Sequence, residues 1–188
     1  MQKYLILVKH SLPEIVEGLP ACEWKLSDEG KARARQLADQ LRQFQPEVIV
    51  SSMEPKAMQT AEIIADSLGL PFQAMAGLHE HDRSKASYLS RDEFQSAVQE
   101  FFEDPDRLVF GSETADNAHT RFYQAVHSVM NDHENQTIVI VSHGTVISLF
   151  ISRLTGISDF LLWNELVLPS FVVIDMQSKT LVAKVNIS

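Results

Sequence analysis

Strands alternating with helices along the chain predict an α/β fold with a largely parallel sheet. Three observations carry that prediction. Residues 4–8 and 137–142 are near-continuous apolar runs, the pattern of strands buried on both faces of a parallel sheet. Between them, and between shorter apolar runs, apolar residues recur at helical spacing. Near the end of the chain, residues 171–175 and 181–185 flank Gln177-Ser178 and read as a hairpin, which adds an antiparallel edge. No internal repeat, low-complexity stretch or linker interrupts the pattern, so residues 1–188 are expected to form one domain.

The first strand, Tyr4-Leu5-Ile6-Leu7-Val8, delivers Lys9-His10-Ser11 to its end. Residues 11–25 lack periodicity and are broken by Pro13, Gly18 and Pro20, so a long loop is expected over the mouth of that strand. Ser27 is placed to cap a helix whose first turn holds Asp28 and Glu29, and Ala34, Leu37, Ala38, Leu41 and Phe44 form its buried stripe before Pro46. Val48-Ile49-Val50 is a short core strand ending in Ser51-Ser52. Pro55 opens a second helix to Leu68, with Ala57, Ala61, Ile64 and Leu68 on its apolar face and Lys56 and Gln59-Thr60 near its start. A third strand is expected at 71–75, helices at 92–102 and 115–130, and a helix from Thr145 to Leu154 closed by Gly156. The strand before it, Thr137-Ile138-Val139-Ile140-Val141-Ser142, also ends on histidine, His143-Gly144. In doubly wound sheets, ligands sit outside the carboxyl ends of the strands. Two core strands that each end in histidine therefore point to one ligand crevice.

A formal charge of −9 excludes a broad basic face, hence nucleic acid or an anionic membrane surface as the main partner. A locally positive pocket for a small anion remains compatible with it. The one cysteine, Cys22, excludes an intrachain disulfide and a cysteine-rich zinc site. The apolar run at 4–8 is too short for a signal peptide, and no run approaches a membrane span, so a cytoplasmic protein is expected.

Val8-Lys9-His10-Ser11, then Ser51-Ser52 with Lys56-Ala57 and Gln59-Thr60-Ala61, then Leu78-His79-Glu80, then Val141-Ser142-His143-Gly144 occur in order. Together they resemble the motifs of the histidine phosphatase superfamily, in its phosphoglycerate-mutase-like branch. The resemblance spans residues 4 to about 155. It implies a three-layer α/β/α sandwich and a phosphatase acting on a small phosphorylated metabolite. It further implies His10 as the nucleophile that becomes phosphohistidine, His143 as the group stabilising the transferring phosphoryl, and Glu80 as acid and then base. Lys9, Lys56, Ser11 and Gly144 would bind phosphate, without metal or other cofactor. The family's usual Arg-His-Gly is Lys9-His10-Ser11 here, and Lys56 replaces its second phosphate arginine. The charges are kept, but the two-pronged guanidinium grip is lost. A mutase and a silent phosphate-binding or interaction module on the same fold are the alternative functions. Residues 77–88 and 112–121 are the expected specificity segments.

Several residues also have structural readings. His79 and His81 flank Glu80 in what reads as a solvated loop rather than a metal site. Ser112, Glu113 and Arg121 suit either a substrate entrance or a capping and salt-bridge role. His119, His127 and His133 read as surface or partly buried, and Trp24 and Trp163 as packing residues. Ser142 lacks the Gly-x-Ser-x-Gly elbow of a serine hydrolase.

Overall fold

The computed structural model describes residues 3–83 and 89–188. The strands are β1 (Leu5–Lys9), β2 (Val48–Ser52), β3 (Phe72–Met75), β4 (Ile138–Ser142), β5 (Ser170–Asp175) and β6 (Thr180–Asn186). The α-helices are α1 (Asp28–Leu41), α2 (Pro55–Leu68), α3 (Arg91–Glu103), α4 (Ala115–Asp132), α5 (Gly144–Thr155) and α6 (Asp159–Glu165). One six-stranded sheet runs in the order β3-β2-β4-β1-β5-β6. The first four of these strands are mutually parallel, and β5 and β6 form the antiparallel edge. The fold is thus the predicted α/β sandwich with a mostly parallel sheet. The short helix α6 is an addition, since seven residues offer too little periodicity to read.

The strand pleat explains the layers. Leu5 and Leu7 face a core built with α4 and α5, together with Val50, Ile140 and Val172. Ile6 and Val8 face the opposite way, onto α1 and α2, with Ile49, Val139 and Val173. Apolar residues on both faces of one strand read as a continuous run, which is why β1 and β4 stand out in the sequence. At the β6 edge the requirement lapses, and exposed and half-buried residues alternate.

The helix ends follow local chemistry. The Ser27 hydroxyl accepts the Gly30 N–H at 3.0 Å, a cap worth about 1 kcal/mol. Pro55 sits in the first turn of α2, and Gly69 ends that helix at φ 70°, a left-handed position that suits glycine. Gly30 has a different reason. A Cβ there would lie 2.0 Å from the Leu12 carbonyl oxygen, so only glycine lets α1 pack against the segment that leaves β1. That contact brings the helix under the His10 loop. Among the described residues, no helix is long and apolar enough to cross a membrane.

Candidate active site

Register brings the two histidines together. Lys9 pairs with Ser142 across β1 and β4, and the His10 N–H donates to the Ser142 carbonyl at 2.9 Å. The next residue of each strand is therefore a histidine at the same sheet edge. The His10 and His143 rings lie 5.1 Å apart, edge to face. His10 Nδ1 lies 2.8 Å from the Ser11 carbonyl oxygen. A carbonyl only accepts, so Nδ1 carries the proton and Nε2 keeps its lone pair. Burial, followed by the Lys56 charge, pushes the His10 pKa down to about 3, although the bond to Ser11 acts the other way. The imidazole is neutral at any ordinary pH.

His143 is fully buried. Its Nε2 meets the Ser52 hydroxyl at 2.9 Å, and burial, then His10 and Lys56, hold its pKa well below the usual value. These shifts have a thermodynamic consequence. An unfolded histidine titrates near 6.5, while His10 and His143 stay neutral in the fold to far lower pH. The unfolded chain therefore binds more protons below that value. For His10 the stability is present above pH 6.5 and is lost as pH falls toward 3, at about 1.4 kcal/mol per pH unit, and His143 acts in the same direction. The melting temperature is expected to drop between about pH 7 and about pH 5, and His10→Ala to flatten the slope by about one proton.

Glu80 stands at the N-terminus of α5. Its carboxylate accepts the N–H groups of Thr145 at 3.2 Å and Val146 at 3.3 Å, and that of His81 at 2.9 Å. Burial raises its pKa, but the Arg83 charge and these N–H groups outweigh burial and hold it below the ordinary range. The N–H groups at the start of α5, which suit an anion, thus already face a carboxylate.

The predicted phosphate ligands are drawn into the same region, with partners of their own. Lys9 lies against Gly144, whose added Cβ would be 3.0 Å from Lys9 Cε, and its ammonium donates to the Leu166 carbonyl at 2.7 Å. Burial lowers its pKa to about 8 against the opposing pull of Glu80. Lys56 is buried, donates to the Ala21 carbonyl at 2.6 Å and pairs with the Glu54 carboxylate. Ser11 needs a correction: its hydroxyl is not offered to a ligand. It donates to the Gly30 carbonyl at 2.7 Å, while its N–H donates to Thr60 Oγ1 at 3.0 Å. Ser11 thus ties β1 to α1 and α2.

The loop carrying Glu80 is braced from behind. Arg121 Nη1 donates to the carbonyls of Gly77 at 2.8 Å and His79 at 2.9 Å, and Nη2 to that of Glu80 at 3.3 Å. The same guanidinium pairs with Glu113, whose Oε1 accepts the Asp82 N–H at 3.0 Å. Of the two readings of Arg121 and Glu113, these contacts favour the structural one. His81 is the second correction. It is 3% exposed rather than solvated, because its ring packs on Phe101 and Phe110 and meets the Glu113 carbonyl at 3.1 Å. Among the described residues, no group of three or more potential ligands is placed to hold a metal. Ser142 is buried and donates to the Leu78 carbonyl at 2.7 Å. Part of the first specificity segment, residues 84–88, lies outside the described residues.

Sequence reasoning missed Glu54. Its carboxylate reaches Lys56, the Glu80 N–H at 2.9 Å and His143 Nε2 at 3.4 Å. The one signal was an acid two residues before the expected phosphate lysine.

A buried histidine pair at neighbouring strand ends, with a carboxylate and cations around it, is chemically able to hold and attack a small anion such as a phosphoryl group. A profile of the histidine phosphatase superfamily (branch 1) matches residues 7–186, and the chain belongs to that superfamily. It is 29% identical to phosphoserine phosphatase 1 of Hydrogenobacter thermophilus over 98% of this chain and 92% of that one. It is 27% identical to the uncharacterized phosphatase PhoE of Bacillus subtilis over 70% of this chain, which spans 65% of that protein. A solved phosphoserine phosphatase mutant from Entamoeba histolytica, in complex with phosphoserine, shares the fold. Its TM-score is 0.78 at 19% identity, covering 97% of this chain and 96% of that one.

Proposed function

We propose that this protein is a phosphatase that hydrolyses a small phosphomonoester through a phosphohistidine on His10. The observation that carries the reading is the His10 tautomer: Nδ1–H held by the Ser11 carbonyl and Nε2 left as a lone pair beside His143. His10 Nε2 attacks phosphorus, the ester P–O bond breaks, and Glu80 gives its proton to the leaving oxygen. Glu80 then takes a proton from water, the hydroxide displaces His10 from phosphorus, and orthophosphate leaves. Free Glu80 is ionised, and an incoming phosphoryl anion raises its pKa, which lets it arrive protonated. Lys9, Lys56 and Arg83 supply the positive field in place of a metal, and neutral His143 can offer a ring N–H to the transferring phosphoryl. The relatives' names support a small phosphorylated metabolite as substrate. The acidic composition and lone exposed Cys22 suit a cytoplasmic setting.

The test is a panel of phosphorylated metabolites and an aryl phosphate, assayed with chelator present and followed by trapping of the enzyme. Turnover is expected to survive chelation and to leave an alkali-stable, acid-labile phosphoenzyme. Activity that vanishes with EDTA and returns with a divalent ion would reject the reading.

The lysines respond to a separate test. Lys9 already lies tightly against Gly144 and its ammonium is bound to Leu166. Arginine is longer and planar, and overpacking of this kind costs about 1–3 kcal/mol. Lys9→Arg combined with Lys56→Arg is therefore expected to lower kcat/KM for an aryl phosphate. A tenfold gain, about 1.4 kcal/mol of transition-state stabilisation, would show instead that the pocket lacks only the guanidinium grip.

A further inference from the structure

Two donors and an imidazole, from three separate segments, meet at one side chain. Lys56 of α2 pairs with Glu54 Oε2, the Glu80 N–H donates to Oε1 at 2.9 Å, and His143 Nε2 lies 3.4 Å from Oε1. Lys56 and His143 are buried. A cation, a main-chain N–H and an imidazole converging on negative oxygens are the groups that grip a phosphoryl. Glu54 is the N-cap of α2, yet its carboxylate makes no capping bond to that helix. The carboxylate turns instead into the site. Its own N–H donates at 3.3 Å to the Ser52 hydroxyl, the same oxygen that meets His143.

We propose that Glu54 is a built-in competitor of the substrate: its carboxylate holds, in the free protein, the place of a phosphoryl group and so limits phosphate affinity. The proposal rests on the phosphatase reading above. Charge gives it a function. In the free protein, where Glu80 is ionised, Lys9, Lys56 and Arg83 would leave an excess of two positive charges to attract a phosphoryl group; Glu54 cancels one of them. A phosphoryl group must displace Glu54 from Lys56 and from the Glu80 N–H, and the returning carboxylate helps to expel orthophosphate after hydrolysis. Glu54 is thus a specificity-determining residue that trades ground-state phosphate binding for product release.

Orthophosphate binding is the direct probe. Calorimetry on the wild type, Glu54→Gln and Glu54→Ala should give an orthophosphate Kd at least tenfold lower in both variants, with KM for an aryl phosphate falling in parallel. Unchanged or weaker orthophosphate binding in a variant that keeps the wild-type melting temperature would overturn the proposal. So would a variant whose KM rises for O-phosphoserine alone, since Glu54 would then be reading a substrate ammonium. The wild type supplies a check that does not depend on the variants folding. Titration with orthophosphate should shift the Glu80 amide resonance as its acceptor changes, and an amide that stays put at saturation counts against displacement. A phosphoenzyme without tightened binding defeats this inference alone. Tightened binding without any phosphoenzyme defeats the phosphohistidine reading and leaves the anion competitor standing.

Discussion

His10→Ala is expected to abolish the phosphoenzyme and to lower kcat by roughly four orders of magnitude or more, the scale of losing a covalent nucleophile. Its Nε2 is the lone pair that the Ser11 carbonyl leaves exposed to a ligand by fixing the proton on Nδ1. No neighbour can take over. His143 faces Ser52 and Glu54, and Ser11 and Ser142 are committed to backbone carbonyls. The fold should survive the change. The ring makes one hydrogen bond, to a carbonyl that water can satisfy once the imidazole is gone, so the stability cost is about 1–3 kcal/mol. At acid pH even that cost shrinks, because a histidine that resists protonation has been removed. Rapid quench and a thermal melt on the same preparation check both halves. Turnover within tenfold of wild type, with the melt intact, would remove His10 from the chemistry.

Glu80→Gln is expected to lower kcat by about two to four orders of magnitude for an alkyl phosphate and by much less for an activated aryl phosphate. An alkoxide needs a proton in order to leave, and a nitrophenolate does not. Thr145 and Val146 bond different carboxylate oxygens, so the amide keeps an acceptor for one of the two N–H groups and α5 keeps part of its partner while the proton is lost. Helix-end charge accounts for about 0.3–1 kcal/mol, which is too little to mimic a loss of that size. The contrast between the two leaving groups is the decisive measurement. An equal loss on both would show that Glu80 places the loop or binds phosphate rather than handling a proton. Arg121→Lys offers a companion comparison, since Arg121 holds the Glu80 loop by three backbone carbonyls.

The α/β sandwich was legible in the residues because its main signals are local. Continuous apolar runs mark β1 and β4, Ser27 and Pro55 mark helix starts, and Gly156 marks a helix end. The histidine pair was legible for the same reason: each follows a core strand, and parallel strands in one sheet end on one edge. What lay beyond reach were contacts between segments far apart in the chain. Ser11 follows His10 in sequence, yet its hydroxyl is spent on Gly30, because α1 approaches closely enough that only glycine fits there. The His81 ring leaves solvent because Phe101 and Phe110, from elsewhere in the chain, close over it. Glu54 reads as an ordinary helix-start acid until Lys56, Glu80 and His143 are brought around it. The sequence by itself determined the fold and the pairing of the two histidines, since both follow from periodicity and from where strands end. Only the tertiary structure decided the protonation states and the partners of the cations, because burial and charge at a few ångströms set those, and neither is a property of neighbouring residues in the chain.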